Sequence, residues 1–151
     1  ILIKNSPYYS PPIAIELSLT EKEAAILIDP HQIKQVLWNL SINALQAMPS
    51  GGILRLSTRW LEDPGRYHEK RWSKSFNSPM AEIVVADTGI GIPSQDRPRI
   101  FDPFFTTKDY GYGLGLAIVY RIIEEHKGYI EVESKEGKGT SFHILLPSQQ
   151  I

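Results

Sequence analysis

The sequence predicts an α+β fold: a two-layer sandwich with about three helices on one face of a mixed β-sheet. Three observations carry that prediction. Apolar and polar residues alternate at "IAIELSL" (13–19) and "GILRLSTRWL" (52–61), as in half-buried strands, and "YIEVES" (129–134) and "TSFHILLP" (140–147) read as two more strands. Two longer runs, ending near residues 48 and 126, carry apolar residues at helical spacing. Strands and helices mix without the strict alternation of a parallel α/β sheet.

The elements follow in chain order. "NSPYYSPP" (5–12) is turn-rich, and residues 1–12 read as a linker from an upstream region. The first strand is 13–19, and "AAILI" (24–28) reads as a short second one. Asp29 offers an N-cap and Pro30 the first helical position. That helix should run to about Met48, where Pro49, Ser50, Gly51 and Gly52 stop it. Residues 62–79, after the next strand, are polar and irregular and read as a long hairpin loop. "MAEIVVAD" (80–87) is a buried strand, and glycines and prolines interrupt 88–113. A second long helix spans about 114–126 and is closed by Gly128. "KEGKG" separates the last two strands, and 148–151 form a tail. Residues 13–147 therefore read as one domain. The first residue is Ile1 rather than Met, as expected of a piece of something longer.

Composition narrows the function classes. Of 151 residues, 42% are apolar and 22% charged, which supports a packed core rather than a disordered tail. A net charge of −1 with mixed signs gives no field for nucleic acid or an anionic membrane. The absence of cysteine excludes disulfides, thiol catalysis and cysteine metal sites, and suits a cytoplasmic setting. No apolar run is long enough to span a bilayer.

Three motifs carry chemistry. In "VLWNLSINALQAM" (36–48), Asn39, Asn43 and Gln46 fall on one helical stripe, extended by Gln32 and Gln35. Ile33, Val36, Leu37, Leu40, Ala44 and Ala47 form the apolar stripe beside it. A solvated polar edge is the plainer reading. Asparagine, however, is a poor helix former, and lysine or glutamate would serve such an edge better. Amides kept for a ligand are the alternative, and a carboxamide oxygen suits Mg²⁺ that already carries phosphate oxygens and water. In "VVADTGIGIP" (84–93), a strand delivers Asp87 to its end, and Gly89 and Gly91 allow close backbone approach. A buried aspartate needs donors, and the exocyclic amine of a purine is one. An Asp-Gly turn bonded to its own backbone is the other reading. In "GYGLGLAIVYRIIEEHKG" (111–128), glycines precede an amphipathic helix whose first N–H groups can hold an anion. No Lys-Ser/Thr follows them, so this is not a Walker loop. Between these motifs, Phe101, Phe104 and Phe105 can anchor a loop, while Thr106, Thr107 and Lys108 offer hydroxyls and a cation to phosphate.

Together the motifs resemble the ATP-binding catalytic domain of bacterial sensor histidine kinases, in the superfamily shared with gyrase, the ninety-kilodalton heat-shock chaperone and mismatch-repair ATPases. The N box matches "HQIKQVLWNLSINALQAM", the G1 box "DTGIGIP", the F box "FDPFFTTK", the G2 box "GYGLGL", and a last box "GKGTSFHILLP". "NALQAM" with "FDPFFTTK" is most similar to the nitrogen-regulation-like branch. The resemblance implies ATP and Mg²⁺ as cofactors. It makes Asn43 the Mg²⁺ ligand and Asn39 a support for phosphates or metal-bound water. Asp87 would bond the adenine amine, with Thr140 helping to hold a water. Gly89, Gly91 and Ile92 would shape the adenine pocket, with Ala47, Ile100 and Leu116 as apolar walls. Gly111, Gly113, Leu114 and Gly115 would line the triphosphate, and residues 101–112 would form the lid.

The chain departs from the family at two positions. Gln46 stands where many relatives carry a basic residue, which shifts charge neutralisation to Lys108. Tyr112 replaces a small residue between glycines, where it could stack or crowd. At position 39, ATPases of the superfamily carry a glutamate that activates water, and an amide cannot serve as that base. The resemblance therefore implies phosphoryl transfer to a protein histidine rather than rapid hydrolysis. His31, His68, His126 and His143 do not stand in the family's acceptor setting. The implied partners are dimerisation and phosphoacceptor helices of the same kinase and a downstream response regulator, with this domain alone monomeric. A serine kinase of the same superfamily and a non-catalytic nucleotide sensor are the competing readings.

Overall fold

The computed structural model describes residues 2–9, 12–22, 25–63, 78–109 and 111–148. Strand β1 (Ile13–Ser18) leads through helix α1 (Pro30–Gln46) to β2 (Gly52–Leu61). β3 (Met80–Asp87), α2 (Gly115–Glu125), β4 (Tyr129–Lys135) and β5 (Gly139–Pro147) follow. Single 3₁₀ turns lie at Leu2–Asn5 and Arg97–Arg99. The sheet order is β1-β2-β3-β5-β4. β1 runs parallel to β2, with Ile13 opposite Gly52, and every other pairing is antiparallel. Parallel neighbours need a crossover, and α1 supplies it.

The helix ends follow local chemistry. The Asp29 carboxylate accepts from the N–H of His31 at 2.8 Å and of Gln32 at 3.3 Å, as an N-cap should. These bonds, His31 first, hold its pKa below the ordinary carboxylate value. At the far end of α2, His126 Nδ1–H donates to Ile122 O at 2.7 Å, while Nε2 accepts the Asp29 N–H at 2.9 Å. One neutral tautomer satisfies both bonds and ties the close of α2 to the start of α1.

Both helices pack on the same side of the sheet. Ile33, Val36, Leu40 and Ala44 of α1 join Val119, Ile122 and Ile123 of α2 over Leu54, Val85, Phe142 and Ile144. The period-2 register turns Glu82 and His143 to the opposite face. There Glu82, only 1% exposed, accepts from His143 Nδ1 at 3.0 Å and from Arg59. These residues line a groove of about 380 Å³.

Two expectations are corrected. The expected strand at 24–28 does not appear among its described residues, 25–28, where Ile26 makes an isolated bridge to Ser148. Ile26 and Ile28 pack on the core while Leu27 is exposed, so the alternation reflects burial without a hydrogen-bonded ladder. Two α-helices, not three, appear among the described residues. The stretch 88–109 stays in turns because Pro93, Pro98 and Pro103 each remove a backbone donor. Most of the expected 62–79 hairpin loop lies outside the described residues.

Candidate functional site

The polar stripe of α1 meets three separate loops. Asn39 Nδ2 donates to Gly115 O at 3.4 Å, where α2 begins. One turn on, the Lys108 ammonium donates to Asn43 Oδ1 at 3.1 Å and to Gln46 Oε1. At the helix end, Ala47 O accepts from the Ile90 N–H at 2.9 Å. Positions 39 to 47 cover about 12 Å of helix axis. Lys108 as a residue is exposed, yet desolvation by its surroundings lowers the ammonium pKa.

Asp87 closes β3 directly opposite Thr140 of β5. Its Oδ1 accepts the Gly89 N–H at 2.8 Å. Burial pushes the carboxyl pKa up, opposed by the N–H groups of Gly89 and Thr140. A side chain on Gly89 would strike the Ala47 carbonyl carbon at 2.7 Å, so glycine is what lets this turn lie against α1. The Ile92 N–H, just past Gly91, donates to Ser134 Oγ at 2.8 Å. Ser134 Oγ also donates to Gly139 O at 3.1 Å and meets Thr140 Oγ1 at 2.9 Å. Ser134 has one proton, so Thr140 must donate to it and present lone pairs beside Asp87.

Unlike α1, α2 opens without a side-chain cap on Leu114, which leaves its first-turn N–H groups for an anion. Gly113 precedes it at φ 66°, and its carbonyl accepts the Phe104 N–H at 2.9 Å. Phe101 packs against Tyr120 and Phe142 at centroid distances of 5.4 and 6.3 Å. Phe105 lies under the Arg99 guanidinium at 4.6 Å. Phe104 does not anchor the loop as expected. Its φ of 66° and its bond to Gly113 reverse the backbone there, and the ring is 75% exposed.

The remaining candidates divide. Thr106 Oγ1 accepts the Lys108 N–H at 3.1 Å, and Thr107 is exposed. Ile100 is buried in the core, with Ile92 and Leu116 packed at its edge. Gly111 and Tyr112 face solvent. The sequence reading missed Ser134. Its signal was a serine in the inward register of β4, following Ile130 and Val132. It also missed Thr88, whose hydroxyl accepts the Ile53 N–H at 3.0 Å and secures the turn after Asp87.

A two-layer sandwich, an amide-bearing helix and two glycine turns define a nucleotide-binding class. Residues 28–150 match the family described as histidine kinase-, DNA gyrase B-, and HSP90-like ATPase, and the chain belongs to it. Membership implies nucleotide use. Within the family, the chain is homologous to the catalytic domains of sensor histidine kinases. It is 39% identical over 138 residues to sporulation kinase E of Bacillus subtilis (strain 168), covering 91% of this chain and 17% of that protein. It is 38% identical over 135 residues to the sensor histidine kinase ZraS of Escherichia coli (strain K12), covering 88% and 26%. The chain thus spans a minor part of these relatives. Among solved structures, the mycobacterial sensor histidine kinase MprB superposes with a TM-score of 0.71 at 30% identity, over 93% of this chain and 85% of that one. The catalytic domain of histidine kinase ThkA, nucleotide-free, gives 0.69 at 31% identity, over 91% and 80%. The serine-kinase reading is not favoured. Among the described residues no helix is long and apolar enough to cross a membrane.

Proposed function

We propose that this chain, through residues 13–147, binds Mg·ATP and presents the γ-phosphate to a histidine on a helix outside it. The supporting observation is that one helix face, Asn39 to Ala47, contacts the start of α2, the lid lysine and the turn after Asp87. Asp87 accepts from the adenine amine, and Thr140 holds a water beside it. Ala47, Gly89, Gly91 and Ile92 enclose the base. The uncapped N–H groups after Gly113 receive phosphate oxygens, and Lys108 adds positive charge.

Magnesium fits this donor set. Asn43 Oδ1 and Gln46 Oε1 already accept an ammonium, so these oxygens point into the site and tolerate a cation. Among the described residues no cluster of three acidic, histidine or cysteine side chains competes for a metal. Asn43 is the protein ligand we assign to it; when bound, Mg²⁺ neutralises phosphate charge. Asn39 cannot remove a proton from water, so the site positions the phosphoryl group rather than activating a hydrolytic base. Residues 1–12 lead from the dimerisation and phosphoacceptor helices, and a response regulator receives the phosphoryl group in the cytoplasm. "NALQAM" and "FDPFFTTK" support the nitrogen-regulation-like branch. Calorimetric titration with a non-hydrolysable ATP analogue, with and without Mg²⁺, tests the proposal. Saturable binding strengthened by Mg²⁺ is expected, and no binding overturns it.

A further inference from the structure

Lys108 is held by two uncharged oxygens on α1, 65 and 62 residues away in sequence. We propose that Lys108 occupies Asn43 and Gln46 as a stand-in cation in the nucleotide-free protein, and that its displacement makes the site prefer a nucleoside triphosphate over a diphosphate. This rests on the Mg·ATP reading and deepens it.

Asn43 Oδ1 cannot hold an ammonium at 3.1 Å and a divalent cation together, because the two charges repel at contact. Metal-nucleotide binding must therefore detach Lys108. The released ammonium gives up two charge-assisted hydrogen bonds. A triphosphate offers its third phosphate as the replacement partner, and a diphosphate, one phosphate shorter, lacks that group. Gln46 acts through Lys108: its neutral carbonyl steadies the ammonium, whereas a basic side chain there would repel it. The segment has room to exchange positions. Lys108 and Asp109 are exposed, and Gly111 has φ 146° with nothing near its missing side chain.

The test compares the wild-type chain, Lys108→Met and Gln46→Met by calorimetry with Mg·ADP and with the Mg²⁺ complex of a non-hydrolysable ATP analogue. Amide hydrogen exchange over residues 104–109 is followed without nucleotide. Lys108→Met should bind Mg·ADP about three- to tenfold tighter, the equivalent of one weak charge-assisted hydrogen bond. It should bind the triphosphate no tighter, so the triphosphate preference falls. Gln46→Met should shift Mg·ADP in the same direction by less. Exchange at 104–109 should quicken in both variants. Equal weakening of both nucleotides by Lys108→Met, or unchanged Mg·ADP affinity with unchanged exchange, overturns the stand-in role alone. Failure of the wild type to bind either nucleotide overturns the Mg·ATP reading and this exchange with it.

Discussion

The sharpest test of the site is Asp87→Asn, an isosteric change that removes one charge and turns one acceptor into a donor. The Asp87 Oδ1 accepts from Gly89 at 2.8 Å, and the Thr140 N–H also supports the carboxylate. In the variant the Gly89 N–H retains the amide oxygen and leaves the NH₂ group at the other carboxyl position, toward the base. A donor then faces the adenine amine, itself a donor. The loss combines a charge-assisted hydrogen bond with two unsatisfied donors, about 2–4 kcal/mol, or roughly 30- to 1,000-fold in affinity. Calorimetry with the ATP analogue and Mg²⁺ measures it. The same substitution should not destabilise the nucleotide-free protein. Burial raises the folded-state pKa of Asp87 above 3.8, so the folded state binds its proton more tightly than the unfolded chain does. Ionisation therefore reduces stability as pH rises from the unfolded value through that raised one. Asparagine carries no such penalty, so its thermal midpoint at pH 7 should equal or exceed that of the wild type. Affinity within threefold of the wild type refutes the assignment of Asp87 to the base. A lowered midpoint refutes the electrostatic reasoning.

Two other perturbations probe the frame around the site. Glu82 is opposed by burial, but hydrogen bonds from His143 and Arg59 leave its pKa below 4.5. Its stabilisation is thus complete above about that pH and disappears as pH falls through the lower folded value; Glu82→Gln should flatten the acid limb of a stability-versus-pH curve, and an unchanged limb would refute it. Gly113→Ala puts a methyl 2.7 Å from Phe105 O at a φ of 66°. With about 1–2 kcal/mol of left-handed strain alone, nucleotide affinity should fall around tenfold and exchange of the Phe104 amide should quicken; no change in either would show that the lid does not pivot there.

What was legible in the sequence was whatever depends on near neighbours. Asp29-Pro30 announces the start of α1 because capping acts over three residues, and the structure shows those bonds. Asn39, Asn43 and Gln46 share a face by helical geometry alone. Pairing information is less local. "AAILI" has the alternation of a strand, yet alternation reports which side is buried and not whether a ladder partner is free. The placement of β5 between β3 and β4 sets Thr140 opposite Asp87, and no short window encodes it. Ser134 was hidden for the same reason, since its three partners lie on the turn after Asp87 and on β5. Lys108 is the clearest case. Its charge suggested phosphate, while its partners here are two amide oxygens on another element. A helix face of neutral amides can accept either a lysine or a metal ion, because neither choice strands a buried charge. Carboxylates at positions 43 and 46 would bind Lys108 as a salt bridge and repel phosphate. The uncharged stripe thus explains both why a cation rests there and why a polyanion can replace the arrangement.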